Sequence, residues 1–226
     1  MPSKTRRIFL TRLGVAASAA SVTLAAGSTD AQAQAASDGR FQPARHPQDD
    51  WLDQLPGRHR MFFDTSTPES VVDALWFGNN FFTVNKSAYG LENTDVAVVV
   101  CLRHKSTAFG YNDAIWAKYG ALLSRQSGFT DPATKEPPKV NFYTPAAAAP
   151  VAGRSIATLI KLGAQFAVCN QSSHGIAGMI ANATGAKADD VFNEIAANLI
   201  GRARFVPAGI VAVNRAQERG YTITGG

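Results

Sequence analysis

The sequence predicts an α/β fold in which helices cover both faces of a mostly parallel sheet of five strands. Short apolar segments alternate along the chain with longer segments of helical periodicity, which is the order of strand–helix–strand units. The clearest strand, at 95–102, is a continuous run of largely β-branched residues. Such a run is typical of a parallel strand buried on both faces.

Each element has a local signal. Thr67 is a plausible helix cap and Pro68 a first helical residue, and Gly163 and Gly185 are helix ends. The predicted strands are 60–64, 95–102, 164–169, 203–207 and 221–224. The predicted helices are 68–84, 107–123, 154–162, 173–184, 189–199 and 210–219. The segment 127–150 contains five prolines and predicts a long loop.

The N-terminal residues predict an export signal. The pair Arg6-Arg7 precedes an apolar, Ala-rich stretch, and small residues follow, which is the order of a twin-arginine signal peptide. We expect residues 1–35 to be this signal, 36–57 to be an irregular arm or linker, and 58–226 to be the α/β domain. The expected location is periplasmic or extracellular.

Charge and hydropathy exclude some functions. The chain carries a net charge of +5, of which residues 1–35 hold +3, so about +2 remains after the signal. There is no basic run with interleaved aromatic residues, so we expect no nucleic-acid partner. The apolar part of the signal is too short and too rich in alanine for a stable membrane span.

Cys169 is the main candidate for chemistry. It ends a buried apolar strand and comes just before a predicted helix, so the helix N–H groups would favour its thiolate. Asn170, Ser172 and Ser173 supply polar groups beside it. His174, five residues on, is a candidate catalytic base or charge partner. The alternative is that Cys169 packs as a small apolar residue.

A second group of candidates follows the strand at 95–102. Arg103 and His104 are candidate anion ligands there, although an ordinary solvated strand end explains them too. Cys101 ends the same strand, and we expect it to pack in the core. We expect no disulfide between Cys101 and Cys169, because in many doubly wound sheets the first strand lies between the second and third.

Other site classes lack their motifs. No cluster of His, Cys and carboxylate residues has metal-ligand spacing, so no metal is expected. The glycines around Gly175 and Gly178 lack the spacing of a dinucleotide-binding loop. Neither a Gly-x-Ser-x-Gly elbow nor a His-Glu-x-x-His motif occurs. We predict no cofactor.

Several short motifs in order resemble the DsrE/DsrF-like family, across about residues 58–224. The residues that carry the resemblance are 99–104 (VVCLRH), 114–119 (AIWAKY), 162–170 (LGAQFAVCN), 205–213 (FVPAGIVAV) and 217–221 (QERGY). The resemblance implies a flavodoxin-like three-layer sandwich and homo-oligomers, often trimers or hexamers. It also implies a role in sulfur relay, in which a cysteine after the third strand, here Cys169, carries a persulfide.

Three functions follow from these observations. The first is an exported sulfur carrier, or sulfurtransferase-like protein, that exchanges sulfur with a donor or acceptor protein through Cys169. The second is a non-catalytic oligomeric module that binds a small ligand or a protein, with a packing cysteine. The third is a redox sensor in which Cys169 forms a sulfenic acid. The apolar helix from Pro68 to Val84 predicts a homo-oligomer, because its aromatic residues would be exposed on a monomer.

Overall fold

The computed structural model describes residues 41–145 and 153–225. The chain divides into two units, residues 1–42 and 43–226, and only residues 41 and 42 of the first are described. The predicted signal peptide therefore lies outside the described residues, as does part of the long loop, residues 146–152.

The second unit is a three-layer α/β sandwich around a five-stranded parallel sheet, as the sequence predicts. The strands are β1 (His59–Thr65), β2 (Val96–Leu102), β3 (Gln165–Cys169), β4 (Ala203–Val206) and β5 (Thr222–Gly225). The helices are α1 (Trp51–Gln54), α2 (Pro68–Tyr89), α3 (Asp113–Ser127), α4 (Ile156–Leu162), α5 (Asn170–Thr184), α6 (Ala188–Ala196) and α7 (Gly209–Gln217).

The strand order is β4-β3-β2-β1-β5. The expectation that the first strand lies between the second and third is therefore wrong, because β2 is hydrogen-bonded directly to β3. Each crossover from β1 to β4 moves the chain one strand further in the same direction. Only the last crossover, through α7, returns it to the far side of β1.

The two faces of the sheet are covered unequally. Helices α2 to α6 pack on one face, where Val98, Val100 and Phe166 lie in a large core. On the other face, Phe62 and Val99 lie in a smaller core that α7 and α1 cover. Alternate residues of a strand point to opposite faces, so the continuous apolar run of β2 supplies both cores.

Several predicted bounds differ from the structure, and α2 continues to Tyr89 instead of ending at 84. A 3₁₀ helix, His104–Gly110, occupies the start of the helix predicted at 107–123, and α3 begins only after Asn112, whose side chain caps it. Part of the predicted irregular arm is also ordered, as the 3₁₀ helix Pro47–Asp49 and the helix α1. Trp51 and Leu52 of α1 are buried against the sheet.

Candidate functional site

The candidate site lies at the carboxyl edge of the sheet, where β3 and β4 end side by side. The connection from β3 enters α5 on the larger-core face, whereas the connection from β4 enters α7 on the other face. In open parallel sheets, ligands bind in the crevice where neighbouring connections diverge in this way. Cys169 is the last residue of β3 and pairs with Val206 of β4 at this point.

Cys169 caps the N-terminus of α5 with its own side chain. Its backbone is extended, and its Sγ accepts a hydrogen bond from the Ser172 N–H at 3.4 Å. The helix therefore begins at Asn170, three residues before the start at Ser173 that the sequence predicts. Oxygen side chains usually fill this capping position. A sulfur anion accepts such a bond better than a neutral thiol does, and the helix dipole acts in the same direction.

The sulfur has little contact with solvent. Cys169 as a whole is 5% exposed, and Ser173, one turn on, is fully buried. The Ser173 hydroxyl donates to the Cys169 carbonyl oxygen at 2.9 Å and accepts from the Tyr111 hydroxyl at 2.8 Å. A chain of two hydroxyl groups therefore leads from the core to the backbone of the cysteine.

Ser172 links the site to the end of β2. Its hydroxyl oxygen accepts a hydrogen bond from the His104 N–H at 3.3 Å. His104 has a left-handed backbone, with φ of 55°, which is uncommon for a residue other than glycine. The Gln126 side chain donates to the His104 carbonyl at 3.2 Å. The structure thus brings His104 and Ser172 together, and the imidazole of His104 is on an exposed residue.

Arg103 is held by a carboxylate at the same edge. Its guanidinium donates two hydrogen bonds of 2.7 Å to Asp64 at the end of β1. These bonds raise the pKa of Arg103, so the group stays charged. Gly209 comes so close that a Cβ placed on it would lie 2.5 Å from the Arg103 Cβ. Asp64 therefore binds two nitrogen atoms of the guanidinium that the sequence predicts as an anion ligand.

His174 and Asn170 lie at the start of α5 but have different surroundings. The His174 ring stacks on Phe192 of α6, with ring centres 3.8 Å apart and an angle of 9° between the planes. No hydrogen bond joins His174 to Cys169 in the described part of the chain. The Asn170 Oδ1 atom is buried and accepts no hydrogen bond from residues 41–145 or 153–225.

Cys101 lies in the smaller core. It is fully buried, its thiol points to the Gly209 carbonyl oxygen at 3.8 Å, and burial raises its pKa. Both cysteines are free thiols. Because Cys101 pairs with Ala167, Cys169 lies two residues further along the neighbouring strand. At typical strand spacings their Cα atoms are roughly 8 Å apart, beyond the span of about 7 Å for a disulfide.

Sequence reasoning missed three residues that shape this site: Asp64, Tyr111 and Gly209. Asp64 had a usable signal, since it is a lone carboxylate at the end of an apolar strand and therefore falls on the same sheet edge as Cys169. Tyr111 and Gly209 had none, because both contacts join segments more than 60 residues apart in sequence.

Two further findings concern the described residues only. Within 41–145 and 153–225, no group of three or more His, Cys, Asp or Glu side chains is placed to hold a metal ion. No helix in the same ranges has the length and the apolar character that crossing a bilayer requires.

Comparisons with known proteins add a single solved structure. No family model matches the chain, and no curated protein matches it. The solved structure is the protein of unknown function MTH1491 from Methanobacterium thermoautotrophicum, at 14% identity and a TM-score of 0.37. The match covers 75% of this chain and 100% of that one.

Proposed function

We propose that this protein is an exported sulfur carrier of the DsrE/DsrF-like type, with Cys169 as the residue that holds the sulfur. The observation that carries the proposal is the position of the thiol. Cys169 caps a helix of 15 residues at the edge where the connections of β3 and β4 diverge. A single cysteine with amide donors at such an edge is what a thiol nucleophile needs.

The proposed reaction is a pair of sulfur transfers. The Cys169 thiolate attacks the outer sulfur of a donor persulfide, R–S–SH, so that the donor S–S bond breaks, RS⁻ leaves and Cys169 carries S–SH. An acceptor thiolate then attacks that outer sulfur and releases the Cys169 thiolate. Each step exchanges one S–S bond for another, so no oxidant or reductant is needed.

The Ser172 N–H has a defined role in these steps. It already donates to Sγ at 3.4 Å, and it stabilises the anion both before the first transfer and after the second. The Ser172 hydroxyl accepts from His104, which keeps the first turn of α5 against the end of β2. The proposed steps assign no proton transfer to His174, whose ring lies against Phe192.

Sulfur loading tests the proposal directly. Purified protein is incubated with polysulfide, and the Cys169 peptide is analysed by mass spectrometry for an added sulfur atom. We expect loading of the wild type and of Cys101→Ala, since Cys101 is fully buried, and no loading of Cys169→Ser. Equal loading of Cys169→Ser would exclude this function.

The second candidate is a non-catalytic binding module in which Cys169 only packs. The 5% exposure of Cys169 favours it, because a packing cysteine is normally buried to this extent. Iodoacetamide labelling as a function of pH separates the two candidates. A reactive thiolate labels rapidly below pH 7, whereas a packing thiol labels slowly at every neutral pH.

We also propose that the protein is a homo-oligomer that associates through α2. Phe77, Phe81 and Val84 lie at helical spacing on this helix, and we call them the apolar stripe. Phe77 is 53% exposed and Val84 52%, whereas Phe82 packs in the core. A second copy of the chain would remove the stripe from water.

A further inference from the structure

The Tyr111 hydroxyl is a deeply buried titratable group beside the candidate site. Tyr111 is fully buried, and its hydroxyl donates a hydrogen bond to the Ser173 hydroxyl at 2.8 Å. Burial raises the pKa of Tyr111, so the phenol stays protonated and acts as the donor. Ser173 in turn donates to the Cys169 carbonyl oxygen, so both O–H dipoles point towards Cys169.

The Tyr111 backbone is fixed independently of the site. Its N–H bonds to the Ala108 carbonyl at 3.1 Å, and its carbonyl accepts from the Asn141 side chain at 2.8 Å. It also forms an isolated antiparallel bridge with Leu199. Three separate segments therefore hold the Tyr111 backbone in place, and its buried side chain presents the hydroxyl to α5.

The geometry of Cys169 depends on its own carbonyl group, which accepts the hydrogen bond from the Ser173 hydroxyl. The Cys169 carbonyl belongs to the peptide bond that begins α5, and its orientation sets the direction of the first helical turn. That turn contains the Ser172 N–H that donates to Sγ. A donor that fixes the carbonyl therefore also fixes the sulfur against its amide partner.

We infer that Tyr111 is a positioning residue for Cys169 and acts through the Ser173 hydroxyl. The inference deepens the proposed function, since it names what holds the reactive sulfur in place. Tyr111 does not touch the sulfur, the donor or the acceptor. It sets how well the first turn of α5 stabilises the Cys169 anion.

The experiment measures the rate of iodoacetamide labelling at the Cys169 peptide as a function of pH, in the full chain. Tyr111→Phe removes only the hydroxyl. We expect the labelling curve to move to higher pH, so that labelling at pH 7 is about threefold slower. Ser173→Ala should slow it at least as much. The double variant should be no slower than Ser173→Ala, because Tyr111 acts through that hydroxyl.

Several titratable or charged groups surround Cys169. Cys101, Arg103 and Tyr111 are close enough for a charge on Cys169 to affect them. Asp64 pairs with Arg103, and the His104 N–H donates to the Ser172 hydroxyl. His174 lies on α5. Tyr111→Phe changes no charge at neutral pH, since the phenol is protonated. A displaced curve therefore reports the lost hydrogen bond.

A matched control variant excludes a general loss of packing. Tyr143 is also buried, and its hydroxyl bonds to a backbone carbonyl, that of Pro68, at 3.1 Å. Tyr143→Phe should lower the melting temperature to a similar degree and leave labelling of Cys169 unchanged. Ser173→Thr keeps the hydroxyl and should label faster than Ser173→Ala.

Each remaining outcome overturns one conclusion. The positioning role is overturned if Cys169 in Tyr111→Phe labels at the wild-type rate. It is also overturned if Cys169 in Tyr143→Phe labels as slowly as in Tyr111→Phe. A double variant slower than Ser173→Ala overturns the route through Ser173. A wild type that takes up no sulfur from polysulfide ends the proposed function, while the labelling curves still decide the role of Tyr111.

Discussion

The role of a charged residue in this protein depends on which residues, distant in sequence, lie beside it in the fold. Arg103 follows an apolar strand beside His104 and Lys105, so the sequence presents a cluster of free cations. In the fold, parallel pairing of β1 with β2 places Asp64 at the same edge, where it binds the guanidinium in a bidentate pair. A fork of this kind is among the stronger charge-assisted contacts, so it fixes the orientation of the Arg103 guanidinium at this edge.

Glu194 provides a pH-dependent prediction at the residue scale. Hydrogen bonds from Lys118, first, and from Tyr119 lower the pKa of Glu194 from its ordinary value of 4.5. A lowered pKa means that the ion pair stabilises the fold above pH 4.5 and that this stabilisation is lost as the pH falls further. Glu194→Gln should therefore lower the melting temperature at pH 7, and the difference from the wild type should shrink below pH 4.5.

A second carboxylate on the surface provides the control for Glu194. Glu92 pairs with Lys86 at 3.0 Å, but both side chains are more than 60% exposed. Exposed pairs contribute little, so Glu92→Gln should leave the melting temperature nearly unchanged at either pH. Equal effects of the two variants, or a Glu194→Gln difference that grows in acid, would contradict the argument.

At the scale of elements, the cysteine and its helix cannot be separated. Apolar periodicity predicts the body of α5, but the start of a helix depends on which side chain caps it. Here the capping atom is Sγ, so the strand passes directly into the helix with no loop between them. The position of the Cys169 sulfur is therefore set by both β3 and α5.

The apolar stripe on α2 leads to a prediction about assembly. Phe77→Glu places a charge at the N-terminal end of the stripe, on an exposed residue, which should weaken association if two copies bury the stripe against each other. We expect light scattering to show a smaller mass for this variant than for the wild type at the same concentration. The matched control is Tyr89→Glu, since Tyr89 is 74% exposed on the same helix but lies off the stripe. A wild-type monomer at micromolar concentration would rule out the oligomer.

At the scale of the whole molecule, the arm completes the fold. Residues 51–55 of the arm cover part of the smaller core, and the carboxylates of Asp49, Asp50 and Asp53 pair with Arg215 and Arg219 at the end of α7. The Arg219 side chain is fully buried beneath them. Loss of these carboxylates with the arm in place would leave a buried guanidinium unpaired, which is costly for a charged group.

Leu52 tests the role of the arm in stability. It is 1% exposed, so Leu52→Ala should lower the free energy of unfolding by about 2–4 kcal/mol, as truncation of a core leucine does. Chemical denaturation measures the change. Phe41→Ala is the control, because Phe41 is 82% exposed and its loss should have almost no effect. A Leu52→Ala variant as stable as the wild type would mean that the arm is not part of the cooperative unit.

The sequence by itself determined the fold class, the five strands and the position of Cys169 at a strand end. These properties depend on local patterns of apolar residues and turns, which one segment of chain carries alone. Only the tertiary structure decided the strand order and three contacts. These are the pairing of Arg103 with Asp64, the stacking of His174 on Phe192 and the hydrogen bonds from Tyr111 through Ser173. Each of these joins residues from different elements, and such contacts depend on how the crossovers bring strands and helices together, which no local pattern records.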